Sequence, residues 1–331
     1  MKAIIPVAGA GTKLRPHTYT QPKALMPMAG KTILSVIVDA LLNKGIEEYI
    51  FIIGYLGDKI QDYVLRTYPG LRCTFVTQND RRGTGHAIWL TKEAVGNDEV
   101  LIVFGDTICD FDTTTILNSP ESQIGIRRVD DPRSFGVAEV DEQDNVLKVV
   151  EKPLIPKSNM AMVGVYKIKE TPELFQSLDA YLHNRADEDG EYHLTHALQT
   201  MIERGIRFKA FKVNNWFDCG KKETLLETNA TLLKTMSEQA GYQIPEFPDT
   251  VIIPPVNIAP GCRIEHSIIG PSVSIGENTT VRSSIIRNSI IGSFAELDEV
   301  VLKSSIIGSD AYVHGMSQSL NIGDNTDIDL G

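Results

Sequence analysis

The sequence predicts an α/β protein in two parts, a mostly parallel sheet sandwiched by helices and then a short parallel β-helix. Three observations carry this. Apolar strand-like runs alternate with amphipathic helical stretches from residue 4 to residue 104. A glycine-rich turn follows the first strand directly, at Gly9 to Thr12. Beyond residue 249 the pattern changes to short aliphatic repeats, with Ser-Ile-Ile-Gly at 267–270, 289–292 and 305–308.

Ile4 to Val7 reads as a buried strand, and Thr32 to Lys44 as a helix with Ile33, Val36, Ile37, Ala40 and Leu41 on one face and Gly45 as its stop. Strands at Tyr49–Ile53, Arg72–Thr77 and Val100–Phe104 alternate with helices at Asp58–Arg66 and Gly83–Ala94. Strands in this order pair in parallel under helices on both faces. Ligands of such sheets lie beyond the carboxyl ends of the strands. That edge takes both the glycine turn and Gly105-Asp106. Alternation at Ser134–Asp141 and Asn145–Pro153 predicts a hairpin, and Val163–Ile168 another strand. Lys222–Met236 reads as a closing helix and residues 238–248 as a linker, giving domains of 1–240 and 249–331. In the repeats, Ile258 and Ile264 are six apart, as are Ile269, Ile275 and Val281, as expected of one inward aliphatic side chain per face of a solenoid.

The opening segment carries the chemistry. Ala8, Gly9, Ala10, Gly11 and Thr12 form a turn whose N–H groups can cradle an anion, and Lys13, Arg15 and Lys23 follow with no acid among them. Pro16, Pro22 and Pro27 stiffen the segment. Together these suit a polyphosphate. A dinucleotide fingerprint fails because Leu14 replaces its third glycine, and a P-loop fails because Leu25 replaces its first. Asp106, at a strand end, is a candidate ligand for a hard cation, with Asp110 and Asp112 close behind it. Gln78 carries the paired donor and acceptor that can read a base edge, ahead of the turn at Gly83, Thr84 and Gly85. His86, inside the helix start, reads as a structural or capping histidine.

Composition narrows the classes. A net charge of −11 without blocks of like charge argues against nucleic acid and membrane surfaces as partners. The four cysteines are scattered without a C-x-x-C pair, which suits a reducing cytoplasm. No apolar run reaches membrane-spanning length, and the N-terminus lacks the apolar core of a signal peptide.

The stretch G-A-G-T-K-L-R-P-H-T, continued by Q-P-K-A-L-M-P, resembles the opening motif of the sugar-nucleotide pyrophosphorylases, G-x-G-T-R-L-x-P-x-T…P-K-x-x-x-P. Lys13 stands where that family normally has arginine. The resemblance extends through G-T-G-H-A, F-G-D, E-K-P and W-F-D-C-G, closest to the thymidylyl- and uridylyltransferases. It implies a Rossmann-like nucleotide-diphospho-sugar transferase fold with a left-handed hexapeptide-repeat β-helix. It implies a substrate pair of NTP (UTP or dTTP favoured) and sugar 1-phosphate (glucose 1-phosphate favoured), with Mg²⁺ on Asp106 and Asp218. Lys13 and Arg15 would face the leaving pyrophosphate, and Lys23 the α-phosphate and sugar phosphate. Gln78, Gly83 and Thr84 would meet the nucleotide. Gly136, Glu151, Lys152 and Trp216 would hold the sugar phosphate, supported by Glu191 and Thr195. Guanylyl transfer to mannose 1-phosphate, a non-catalytic sugar-nucleotide sensor, and a second, acyltransferase activity in the β-helix are the alternatives. A homo-oligomer is expected.

Overall fold

The computed structural model describes residues 1–42, 44–183 and 190–315. The chain divides into two compact units, Met1–Thr228 and Asn229–Gly331.

The first unit is built on one nine-stranded mixed sheet. Its parallel half comprises β1 (Lys2–Pro6), β2 (Glu48–Ile53), β3 (Cys73–Thr77) and β4 (Val100–Val103), in the spatial order β3-β2-β1-β4. Ile4, Ile50, Ile52 and Ile102 are fully buried, as befits strands covered on both faces. Helices α1 (Ile33–Leu41), α2 (Gly57–Thr67) and α3 (Thr84–Trp89) are the crossovers. Thr32 caps α1, its hydroxyl accepting from Ser35 N at 3.1 Å. The helix expected at 83–94 breaks after Trp89, where the Thr91 hydroxyl donates back to Ile88 O.

Beyond β4 the sheet turns antiparallel. A short strand β5 (Thr107–Cys109) leaves the main sheet, and β6 (Ser122–Arg128), β7 (Val137–Val140), β8 (Val146–Val150) and β9 (Met160–Ile168) extend it. β9 is the hub: it pairs antiparallel with β4, β6 and β7. Helices α4 (Thr171–Leu182) and α5 (Leu194–Glu203) pack on this half, and β10 (Phe208–Lys212) returns parallel beside β6. The hairpin of β7 and β8 stands where alternation placed it. β6, α4 and β10 had no clear signature in the sequence.

β11 (Trp216–Asp218) pairs antiparallel with β5, setting Asp218 opposite Thr107 and so beside Asp106. The final helix, α6 (Lys222–Ser237), contains the boundary between the units.

The second unit is a parallel β-helix of three sheets, each of four strands among the described residues. Val256, Ile264, Ile269, Val273, Ile275 and Val281 point into its core. At its corners stand left-handed residues, His266, Ser272, Asn278, Ser283, Asn288, Phe294, Glu299, Ser304 and Asp310, five or six apart. Each costs up to about 1–2 kcal/mol in an L-residue, least in Asn and Asp, which occupy three of these corners, Asn278, Asn288 and Asp310. The mixture of five- and six-residue sides explains why the repeat drifts in register along the sequence. No described helix is long and apolar enough to cross a membrane.

Candidate active site

Where β1 ends, Val7 N still donates to Ile52 O, at 2.8 Å, and the chain then leaves the sheet as the glycine loop. Gly11 adopts φ +59°, and a Cβ there would lie 2.9 Å from Lys23 Cβ and 3.0 Å from Thr18 Cγ2. Glycine is thus required twice over, by conformation and by space. The Gly11 carbonyl accepts from the Thr18 hydroxyl at 2.8 Å, which folds the proline-rich segment back and carries Lys23 beneath the loop.

The loop forms one wall of a cavity of about 370 Å³. Ala8, Gly9, Ala10, Gly11 and Thr12 line it together with Lys23 and Asp106, and Gln78, Gly83 and Thr84 close the far side. These residues come from the ends of β1, β3 and β4, the edge at which α/β sheets hold ligands. Two charged lining residues have no assignment there from sequence. Arg81 carried no signal beyond its charge. Glu191, expected near the sugar, lines this cavity instead. A larger groove of about 650 Å³, between Pro132, Val140, Leu147 and Met160, is open and holds none of the residues singled out above.

At the cavity floor the Lys23 ammonium lies 2.6 Å from Asp106 Oδ2, with Lys23 the more buried of the pair. Cys219 N donates to Asp106 O at 3.0 Å, tying β11 to the turn after β4. Asp218 therefore feels both charges. Its carboxyl, solvent-facing but ringed by protein, is raised above the ordinary carboxylate range by desolvation first and by Asp106 second, against the pull of Lys23 and Lys13. The two carboxylates repel each other, and the one close ammonium, that of Lys23, is bonded to Asp106 rather than to Asp218. No described group of three or more His, Cys, Asp or Glu could hold a metal by itself. Two carboxylates that leave the remaining positions to water and phosphate oxygens fit Mg²⁺.

Lys13 and Arg15 are exposed and lie outside the cavity lining. Lys13 is close enough to lower the pKa of Asp218. The Arg15 guanidinium sits 4.8 Å over the Tyr19 ring.

On the opposite side of the cavity two polar side chains are tightly engaged. Gln78, 6% exposed, places its amide nitrogen 3.1 Å from Gly83 O and 3.1 Å from His86 Nδ1. Thr84 Oγ1 accepts from Leu194 N at 3.0 Å, joining α3 to the start of α5. Gly83 takes φ +93°, and a Cβ there would lie 2.5 Å from Tyr192 O.

A second cluster forms where the β7–β8 hairpin meets β9 and α5. The Thr195 hydroxyl donates to Glu151 Oε2 at 2.6 Å, and a Cβ at Gly136 would lie 3.2 Å from that carboxylate. Lys152 Nζ is 3.7 Å from Glu151 Oε1, its backbone held at φ +37° and its N–H donating to Phe135 O at 3.1 Å. Such a φ in a lysine is strain of order 1 kcal/mol, held by the surrounding hairpin. Trp216 packs edge-on against Phe135 at 4.8 Å, and its buried indole Nε1 has no hydrogen-bond partner among the described residues. Burial first, and the Glu151 charge second, push the Tyr166 phenol far up, and its ring lies 5.6 Å from that of Phe104 of the cavity wall, centre to centre. Gly136, Glu151 and Lys152 are thus one cluster, with Trp216 beside it against Phe135; Thr195 ties it to the cavity, because its neighbour Leu194 donates to Thr84 of the lining, and Trp216 shares β11 with Asp218.

Comparison with known proteins follows the same outline. The family model described as nucleotidyl transferase matches residues 2–235. The chain is 30% identical to the low-salt glycan biosynthesis nucleotidyltransferase Agl11 of Haloferax volcanii, with all of both chains covered. It is 29% identical to a glucose-1-phosphate thymidylyltransferase of Streptomyces griseus over 95% of this chain and 93% of the relative. To the bifunctional protein GlmU of Methanococcus aeolicus it is 32% identical over 94% of this chain and 78% of the relative. A UDP-glucose pyrophosphorylase crystallised with UDP-glucose superposes with a TM-score of 0.62 at 24% identity, over 71% of this chain and 98% of that one, which establishes the shared fold.

Proposed function

The chain belongs to the nucleotidyl transferase family, and from that premise we propose that it transfers a nucleotidyl group from UTP or dTTP to a sugar 1-phosphate, glucose 1-phosphate first among them. One observation carries the reading: a single cavity joins the glycine loop, Gln78, Gly83, Lys23 and Asp106, and the Glu151–Lys152 cluster adjoins it through Thr195 and the Leu194–Thr84 hydrogen bond. The names of the thymidylyltransferase and pyrophosphorylase relatives support the same substrates.

In this reading the loop N–H groups hold the triphosphate, and Gln78 and Gly83 meet the base. Glu151 accepts from sugar hydroxyls against a wall formed by Trp216. Lys152 holds the sugar phosphate in line with the α-phosphorus. A phosphate oxygen attacks that phosphorus and pyrophosphate leaves. No covalent intermediate with the enzyme is needed, so catalysis consists of positioning and charge neutralisation. Lys23 neutralises the α-phosphate, and Lys13 and Arg15 the departing pyrophosphate. Cations placed in this way are worth about 10³-fold or more in phosphoryl transfer. Asp106 and Asp218 would hold Mg²⁺, which would supply positive charge to neutralise phosphate oxygens. Lys13 offers charge without the bidentate fork of arginine, which sets a weaker clamp on the leaving group.

Residues 1–240 are proposed to carry the reaction and 249–331 to serve assembly into a homo-oligomer, in the cytoplasm. In support, Val251, Ile268, Ile285 and Val301 align in register on the outer face of one β-helix sheet, with Val301 77% exposed. The four cysteines are unpaired. An acyltransferase in the β-helix finds less support: His266 and His314 are both exposed, the second already 3.4 Å from Asp298.

The test is a matrix of nucleoside triphosphates against sugar 1-phosphates, scored by pyrophosphate release. UTP or dTTP with glucose 1-phosphate should give the highest kcat/KM. A maximum at GTP with mannose 1-phosphate would replace this substrate assignment.

A further inference from the structure

The side-chain amide of Gln78 can be oriented from its neighbours alone. Its terminal atom within 3.1 Å of the Gly83 carbonyl must be the nitrogen, because a carbonyl oxygen only accepts. The same nitrogen lies 3.1 Å from His86 Nδ1. An amide nitrogen has two protons and no acceptor capacity, so His86 Nδ1 must be bare and its ring neutral. Burial and the Arg82 charge hold the imidazole below its ordinary range, against the opposing influence of Asp80, which agrees with a neutral ring. Both amide protons are then engaged inside the protein. What Gln78 can offer the cavity it lines is its oxygen, an acceptor.

We infer that His86 is a positioning residue for base selection: it engages the second amide proton of Gln78, so that the site recognises a base through an N–H on its pairing edge, the imide N3–H of uracil or thymine. This rests on the reading of the cavity as the nucleotide site. Cytosine brings a bare ring nitrogen to the same place, lone pair against lone pair. If His86 did not engage it, the second amide proton would be left without an acceptor in a buried site, and the amide could turn toward the ligand and donate to cytosine instead.

His86 also stacks against Trp89, with ring centres 6.1 Å apart, so packing is the competing explanation for its presence. Two substitutions separate the roles. In His86→Asn the side-chain carbonyl oxygen takes the place of Nδ1 and the ring is lost. In His86→Phe the ring is kept and the acceptor is lost.

The experiment measures binding of UTP, CTP and N3-methyl-UTP by calorimetry to the full chain and both variants, with melting curves alongside. The wild type should bind N3-methyl-UTP and CTP at least ~30-fold more weakly than UTP, since a site built to satisfy a polar group rejects the analogue lacking it. His86→Asn should keep that discrimination within about threefold, and His86→Phe should lose about tenfold of it. Equal wild-type affinity for UTP and N3-methyl-UTP would overturn the acceptor role without recourse to a variant. Discrimination kept in His86→Phe but lost in His86→Asn would return His86 to packing. If no nucleoside triphosphate binds, the reading of the cavity itself fails, and this inference with it.

Discussion

Asp106 and Asp218 are chemically identical side chains in unlike company. Asp106 has the Lys23 ammonium at 2.6 Å, whereas Asp218 is raised by desolvation and by Asp106. If both serve one cation, Asp106→Asn and Asp218→Asn should each lower kcat by at least ~10²-fold, about 2.7 kcal/mol. The double variant should lose little more than the worse single one, because residues acting on one ion are not additive. A double-mutant cycle on pyrophosphate release at saturating Mg²⁺ measures this; additive losses would mean two separate roles. The pKa shift gives an independent handle. An acid whose pKa rises on folding binds its proton more tightly in the folded state, so its ionisation opposes folding above that pKa. Asp218→Asn should therefore raise the Tm of the ligand-free protein at neutral pH. The gain should begin to shrink as pH falls through the raised value and be gone below the ordinary carboxylate range, where Asp218 is neutral folded and unfolded alike. Asp106→Asn should bring the Asp218 pKa down, read by carboxyl NMR.

At the scale of elements, what could be read from sequence was what is local. The glycine loop, the β1–α1–β2–α2–β3 alternation and the β7–β8 hairpin all depend on periodicities and turns within a few residues of each other. β6 and β10 were hidden because their partners are distant: Phe208 pairs with Ser122, and β6 lies beside β9 with a break in register between Met162 and Tyr166. The candidate site divides along the same line. Its glycines, cations and carboxylates stand in short motifs legible in the sequence. That Thr84 caps α5 from 110 residues away and that His86 engages the Gln78 amide are tertiary facts with no sequence pattern of their own. The loop itself offers a test. Gly11→Ala forces a left-handed alanine and sets its Cβ 2.9 Å from Lys23 Cβ. It should cost about 1–2 kcal/mol of stability and, by displacing Lys23, reduce kcat more than the loss of folded protein explains. Thermal melts with turnover on the same sample separate the two effects. Activity lost only in proportion to unfolding would show that Lys23 had not moved.

For the whole molecule, the division into units bears on what each can do alone. Every residue assigned to the reaction precedes residue 219, within the first unit. A chain ending after Glu246 should keep its nucleotide affinity within about threefold while losing its oligomeric state in light scattering. Its Tm should fall, because Asn229 at the start of the second unit is fully buried and accepts from the Ser274 hydroxyl at 2.7 Å, a partner the truncation removes. A folded truncated chain that binds no nucleotide would move part of the site into the β-helix.

The central claim is that one cavity and its adjoining cluster carry out transfer between two substrates, and product stoichiometry tests it most directly. The full chain, given UTP or dTTP with glucose 1-phosphate and Mg²⁺, should release one pyrophosphate for each nucleotide sugar formed and none when the sugar phosphate is withheld. Tight nucleotide binding with no pyrophosphate from any substrate pair would contradict the account and make the protein a sensor.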